Sequence, residues 1–377
     1  MYKNIANVVK SGKCVGCGIC VGTCPSGVIH NEFSSGFLRP KVDNEKCNEC
    51  GVCLDVCPVM NNVGYSRKKT GCKCYVGYSL DSQIRRKGQS GGIVTQLLID
   101  LFKHRSIDCA VVSISDNRNK AYHTIVDVDM DYKKALISSA GSKYTSSEIS
   151  EGLFSQISKY ENVAFVGLPC QVRGIVNAEK SKGVKNIKYK IGLVCDRVIN
   201  NKFKDLFIKK GTIGFEYRSK EKNGYPGDIK TTADNGSKTF VDKSIRHYLK
   251  LIYTQPSCFN CYDKIAFCAD IVIGDNWLPR FKDDRLGSSL VLDRSGLLNE
   301  LSVFNMDLTP IGKDDFLSSA RLDSKKLIVS VYRKSSLFKW LFSVFPILRS
   351  RLFPIPIQIF FSRMARKALT SMYKVQL

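Results

Sequence analysis

Eight cysteines between Cys14 and Cys57 fall in two matching runs. The first is Cys14-x2-Cys17-x2-Cys20-x3-Cys24, followed by Pro25. The second is Cys47-x2-Cys50-x2-Cys53-x3-Cys57, followed by Pro58, and it repeats the first at a period of 33 residues. A cubane of iron and sulfide needs four thiolates, and two-residue gaps let one tight loop grip three corners. In two-cluster modules of this spacing the fourth ligand comes from the other run. The spacing therefore predicts two 4Fe–4S clusters, one on Cys14, Cys17, Cys20 and Cys57, the other on Cys47, Cys50, Cys53 and Cys24. Gly16, Gly18 and Gly51 let the backbone turn closely and present N–H groups to the sulfurs. Zinc is the bland alternative, but it asks for neither the third cysteine nor the proline. Two clusters in one small module serve as a wire, not as a catalyst.

A third group, Cys258-x2-Cys261-x6-Cys268, holds three corners of a further cluster or zinc site. Its fourth ligand must come from elsewhere. Cys195, closing a strand, is the first choice and Cys170 the second. Cys72, Cys74 and Cys109 show no partner pattern.

These ligands need elements to position them. After a polar linker at 63–74, Cys74 to Ser79 reads as a strand. Gly88-Gln89-Ser90-Gly91-Gly92 then opens a helical pattern in which Ile93, Leu97, Leu98 and Leu101 share a face. A glycine-rich loop feeding a helix N-terminus suits a phosphate; an ordinary cap by Ser90 is the alternative. Strands follow at Cys109–Ile114, Ala121–Val126, 162–168 and 187–195, with helices at 172–179 and 201–210. The alternation predicts an α/β core, and without a G-x-G-x-x-G fingerprint it is not of the Rossmann kind.

The chain has 377 residues and a net charge of +24. Residues 1–62 carry six Lys/Arg against five Asp/Glu, residues 333–377 carry nine Lys/Arg and no acid, and the remaining +14 lies between. With no nucleic-acid motif in sight, this charge points to an anionic cofactor, an acidic redox partner such as ferredoxin, or membrane lipid. The start, Met1 to Lys10, has no apolar core followed by a small-residue cleavage site, so the expectation is a cytoplasmic protein with reduced thiols. The tail over 326–377 interleaves aromatic and aliphatic residues with Arg349, Arg351, Arg363, Arg366 and Lys367. It reads as a peripheral contact with an anionic membrane face, or as a hairpin packed on the core or a partner.

The motifs together resemble the beta-subunit family of coenzyme F420 hydrogenases and dehydrogenases, with a two-cluster ferredoxin domain at 1–62 and the family domain over 75–325. The resemblance is carried by Gly88-Gln89-Ser90-Gly91-Gly92 with Thr95, Gly141-Ser142-Lys143-Tyr144, Gly167-Leu168-Pro169-Cys170-Gln171, Gly192-Leu193-Val194-Cys195, Cys258-x2-Cys261 and Ala269-Asp270-Ile271 with Gly274-Asp275. It implies an FAD-binding α/β core and a third 4Fe–4S cluster beside the flavin, on Cys195, Cys258, Cys261 and Cys268. It places Gly88, Ser90, Gly91, Gly92, Thr95, Ser142, Lys143, Tyr144, Pro169, Cys170 and Gln171 at the flavin. The implied function is an iron–sulfur flavoprotein oxidoreductase linked to coenzyme F420 or ferredoxin, with a role in surface polysaccharide synthesis among the family's options. An electron-transfer subunit of a larger complex is the alternative. One departure stands out: Asp196 follows Cys195, where many relatives look to have a His.

Overall fold

The computed structural model describes residues 3–61, 71–116, 120–182, 184–250, 253–261, 263–300 and 304–321. Most of the expected linker and the whole expected tail lie outside these residues. Among the described residues, no helix is long and apolar enough to cross a membrane.

The sequence repeat is a repeat of backbone. Gly18 and Gly51, 33 residues apart, both take φ 78, a left-handed conformation that glycine adopts without penalty. Each opens a single helical turn, α2 (Ile19–Gly22) and α3 (Val52–Asp55), that carries the third cysteine of its run. The helix α1 (Ile5–Lys10), capped by the Asn4 side chain, packs on the hairpin of β1 (Ile29–Ser34) and β2 (Phe37–Val42). This module is not a bead on a string. Ile19, Val21, Val52 and Val56 share one apolar core with Phe165, Ile175 and Leu153 of the following domain.

That domain is built on an eight-stranded mixed sheet. Its strands are β3 (Lys73–Ser79), β4 (Cys109–Ser115), β5 (Ala121–Asp127), β6 (Val163–Gly167), β7 (Ile187–Leu193), β11 (Ile271–Asp275), β12 (Ser289–Asp293) and β13 (Met306–Ile311), in the order β13-β3-β12-β11-β7-β6-β4-β5. Four consecutive strands, β11, β7, β6 and β4, run parallel. Every residue of β6 is buried, as a strand covered on both faces requires. The helices α4 (Ser82–Lys87), α5 (Ile93–Lys103), α6 (Tyr132–Ser139), α7 (Leu153–Ile157) and α8 (Pro169–Lys182) intervene. The expected strands and the helix after the glycine loop are present; α8 starts three residues earlier than its pattern suggested, because Pro169 suits a first helical position.

A smaller three-stranded sheet, β8 (Thr212–Ser219), β9 (Asp228–Ala233) and β10 (Lys238–Val241), is attached. It is held by an aromatic cluster in which Phe203 stacks on Tyr217 at 6.0 Å and Phe215 meets Tyr217 edge-on at 4.7 Å. Here the expected helix over 201–210 is shorter. Only α9 (Lys202–Asp205) forms, because Phe203 anchors the segment while Leu206 is exposed and gains nothing from a further turn.

Candidate functional site

The two runs interlock. Burial pushes the Cys17 thiol well above its ordinary value, and the thiols of Cys20, Cys57 and Cys14 push it further. Burial likewise raises Cys53, with Cys50, Cys47 and Cys24 adding to it. The structure thus gathers Cys14, Cys17, Cys20 and Cys57 in one place and Cys24, Cys47, Cys50 and Cys53 in another. Cys20 and Cys57 each feel Cys53 across the gap. Crowded buried thiolates repel one another, and the charge that relieves such crowding is a cationic core. Donors stand ready for the sulfurs: Gly16 N–H lies 3.4 Å from Cys14 Sγ, and Asn4 Nδ2 lies 3.7 Å from Cys47 Sγ. Among the described residues, no three His, Cys, Asp or Glu side chains converge as tightly as one metal ion demands. A cubane asks for less convergence, since its ligands grip separate corners. The residues fit two such clusters.

In the third group the structure sets Cys170, the second choice for the fourth ligand, beside Cys195, Cys258 and Cys261. Burial raises the Cys170 thiol, and after burial the groups acting on it are Cys17, Cys195, Cys261 and Cys258. Cys268 has a different set of neighbours. Besides burial, its surroundings are Asp263, Arg173 and Arg294. The topology explains why Cys170 and Cys195 meet. Cys170 is the second residue of α8 and follows the C-terminal end of β6; Cys195 follows the C-terminal end of the adjacent β7. Two parallel neighbours therefore deliver their cysteines to the same edge. A 3-10 turn from Pro256 to Asn260 brings Cys258 there, with Val198 N–H at 3.5 Å from its sulfur.

The same sheet edge opens into a cavity of about 280 Å³. It lies where ligands of open α/β sheets bind, beyond the C-terminal ends of the parallel strands. Val112 and Ser113 of β4, Val166 and Gly167 of β6, and Ile273 to Asp275 of β11 form its floor, and Cys195 stands in its wall. Gly88, Ser90, Gly92, Thr95, Ser142, Lys143, Tyr144 and Gln171 line it as well. Gly91, Pro169 and Cys170 do not. Gly91 is turned to the sheet, where a Cβ would meet the Gly77 carbonyl oxygen at 2.4 Å. The loop is strapped down: Ser90 Oγ and Ser289 Oγ are 2.8 Å apart, and the Gln89 amide spans the Arg218 carbonyl and Ser142 N–H, each at 3.0 Å.

Several groups in the cavity carry charge or could carry it. Burial and the Lys87 ammonium push the Lys143 amine down to about 8. Lys143 still donates to the Ser139 carbonyl and, at 3.1 Å, to that of Gly141. Arg218 is fully engaged: its guanidinium meets both Asp275 oxygens, at 2.7 and 3.0 Å, and donates to Tyr144 Oη at 3.2 Å. Burial pushes His123 down to about 4, so it is neutral, and it shares a hydroxyl chain with Ser147 and Ser113. His123 and Arg218 were not foreseen; the only sequence signal is their place on short strands beside the motifs. An apolar floor, an α5 N-terminus at the rim and the half-buried Lys143 fit a planar ring system with a phosphate arm.

Gln171 joins cavity and wire. Its Oε1 accepts from Leu168 N–H at 2.9 Å, closing the start of α8, and its Nε2 reaches the Cys17 carbonyl at 3.4 Å. At the far end of the wire, Cys50 is exposed. Its surroundings are acidic, unlike the chain as a whole: Glu45, Glu49 and Asp55 are exposed there, while Lys46 pairs with Asp43 at 3.2 Å and Lys3 with Glu49 at 3.3 Å.

Residues 74–153 and 160–303 match the N-terminal and C-terminal models of the coenzyme F420 hydrogenase/dehydrogenase beta subunit, and residues 13–61 match the 4Fe-4S dicluster domain. The chain is 29% identical over 292 residues to a coenzyme F420-dependent sulfite reductase of Methanocaldococcus jannaschii, covering 73% of this chain but only 44% of that protein. It is 25% identical over 320 residues to one of the subunits of the F(420)H(2) dehydrogenase of Methanosarcina mazei, covering 76% of this chain and 84% of that one. Among solved structures, a chain of the F420-reducing nickel–iron hydrogenase complex of Methanosarcina barkeri shares the fold, with a TM-score of 0.50 at 18% identity over 70% of this chain and 93% of that one. The chain belongs to the coenzyme F420 hydrogenase/dehydrogenase beta-subunit family and carries a 4Fe-4S dicluster domain ahead of the family's two matched segments.

Proposed function

We propose that this chain is the electron-transfer subunit of an oxidoreductase complex, linking a partner protein at Cys50 to a two-electron reaction of coenzyme F420 at the cavity. One observation carries the reading: an unbroken succession of thiols. Cys53 acts on Cys20 and Cys57, Cys17 acts on Cys170, and Cys170 feels Cys195, which stands in the cavity wall. The reading assigns three 4Fe–4S clusters, with Cys170, Cys195, Cys258 and Cys261 holding the third. Cys268 is left out.

The cavity suits FAD. When bound, FAD supplies the exchange between one-electron and two-electron chemistry. The α5 N-terminus and Lys143 would hold its phosphates, while Val112, Val166 and Ile273 exclude water from the ring. Cys195, a ligand of the proposed third cluster, lines the cavity and would bring the wire to the ring, with Gln171 beside it. The relatives named above are coenzyme F420 proteins, two of them parts of larger complexes by name, which supports a subunit rather than a self-contained reductase. Nothing in them speaks for polysaccharide synthesis, and the reading stays with redox chemistry. The acidic rim at Cys50 favours a partner with a basic contact face, in place of the acidic partner that the net charge suggested.

Reduced coenzyme F420 should raise the electron-paramagnetic signals of the two ferredoxin-type clusters in the anaerobic protein. In Cys170→Ala those clusters should stay oxidised. Equal reduction in the variant would sink the proposed path.

A further inference from the structure

We propose that the buried pair Arg173–Asp263 sets the reduction potential of the third cluster, Arg173 raising it and Asp263 holding that rise in check. The inference rests on the ligand set proposed above. Arg173 lies on α8, one turn beyond Cys170, and Asp263 lies two residues beyond Cys261. Arg173 Nη2 meets Asp263 Oδ2 at 2.8 Å, with the side chains 8% and 2% exposed. The pair thus links the helix of one ligand to the loop of another.

Its surroundings are nearly balanced in charge. Arg294 is spent on carbonyls of the same loop, donating to Ala266 at 2.8 Å, Ala269 at 3.2 Å and Ile265 at 3.2 Å. Lys190 of β7 lies 3.0 Å from Glu179 of α8 and 3.8 Å from Asp270. The Lys264 ammonium sits on the Arg321 carbonyl, and Arg197 pairs with Asp196 at 3.3 Å. Cys268, which lies outside the proposed ligand set, is near Arg173 and Asp263 both. Each of these cations has an anion or carbonyl beside it, so the field of the cluster is sensitive to the loss of one charge.

Tying the helix to the loop does not require ions. Well-packed apolar residues do that as well or better, because two buried charges must first be stripped of water. What ions add is a field. A 4Fe–4S cluster gains one negative charge on reduction, and in a weakly screened interior a fixed cation favours that state while a fixed anion opposes it.

The two roles give opposite signs. Asp263→Asn leaves the Arg173 charge unopposed and should raise the potential. Arg173→Gln leaves Asp263 unopposed and should lower it. Arg173→Lys keeps the charge, and Arg173→Gln with Asp263→Asn removes both, so each should stay near the unaltered protein. A mere tie would give the two single variants the same outcome, since both lose the same bond.

The measurement is a potentiometric titration of the anaerobic full-length protein, followed by electron paramagnetic resonance. The signal absent from Cys258→Ala identifies the third cluster. Opposite shifts of that signal, with the other two clusters unmoved, are the expected result. Shifts in one direction, no shift, or loss of the third cluster from both single variants would overturn the tuning role and leave a structural pair. Unaltered protein with only about eight irons per chain would instead overturn the ligand set, and this inference with it.

Discussion

Gly174 of α8 lies against Ile19 of α2 so closely that a Cβ on the glycine would meet Ile19 Cγ1 at 2.7 Å. The contact lies on the seam between the two domains. Along the same helix, Gln171 reaches the Cys17 carbonyl and Asn177 donates to the Asn61 carbonyl at 3.1 Å. A side chain at 174 must displace Ile19 and so disturb the seam. Gly174→Ala should lower stability by about 1–3 kcal/mol, the usual cost of overpacking. Gly174→Val should keep its iron yet pass electrons from the cavity to the clusters more slowly. Unchanged melting and unchanged transfer in both variants would mean that the seam is not tight.

The ligand assignment makes a contrast in iron content. Unaltered protein should hold about twelve irons per chain. Cys170→Ala should lose about four, while Cys268→Ala should lose none. The reverse outcome would restore Cys268 as the ligand.

This contrast marks where the sequence stopped being legible. The eight dicluster cysteines could be read because a tight loop fixes their spacing locally. The proposed third cluster would take its ligands from the end of β7, from α8 and from a loop, and spacing says nothing about which of two nearby cysteines would join it. Cys268 sits seven residues past Cys261, but the loop between them is folded back by Arg294 and Asp263. Cys170 could have been preferred only by knowing that β6 and β7 are parallel neighbours. Gly88 to Gly92 were legible as a loop into a helix, but not which glycine faces the sheet. The small sheet around Tyr217 went unread: its strands carry Arg218, and only the fold brings that residue to Asp275.

Gly91 separates packing from binding. Its missing Cβ would strike the backbone of β3 and β12, at the Gly77 carbonyl and, 2.8 Å away, at the Ser289 amide. Gly91→Ala should therefore destabilise the domain as a whole. Ser90→Ala, which loses a hydroxyl pairing with Ser289, should cost about 1 kcal/mol and leave the fold intact. If Gly91→Ala melts normally and loses only FAD, the glycine faces the ligand after all.

Lys143 predicts a pH dependence. Its amine falls from 10.5 to about 8 in the folded chain. Between those values the unfolded chain keeps a proton that the folded one has released, so in the absence of ligand this group makes stability rise with pH across that window. Anion binding runs the other way, because it needs the ammonium. FAD affinity, read from quenching of flavin fluorescence, should weaken as pH rises through 8. Lys143→Met should bind FAD less well and lose this dependence. A dependence that survives in the variant would remove Lys143 from the phosphate site.

Of the eight dicluster cysteines, Cys50 alone is exposed, which makes it the proposed point of contact with a redox partner. Residues 43–55 hold Asp43, Glu45, Glu49 and Asp55 against the single Lys46. Exposed pairs such as Lys3–Glu49 contribute little to stability, but charges at a contact face govern how fast partners meet. Beyond a Debye length of about 10 Å at 0.1 M salt, the basic remainder of the chain is screened and the local rim decides. A small basic haem protein used as electron acceptor should therefore be reduced fastest at low salt. Glu45→Lys and Glu49→Lys together should slow it, and should speed transfer to an acidic ferredoxin. The iron content of the variant should be unchanged, since neither glutamate touches a ligand sulfur. If the basic acceptor is indifferent to both salt and the two substitutions, electrons enter by another face and Cys50 is not the contact.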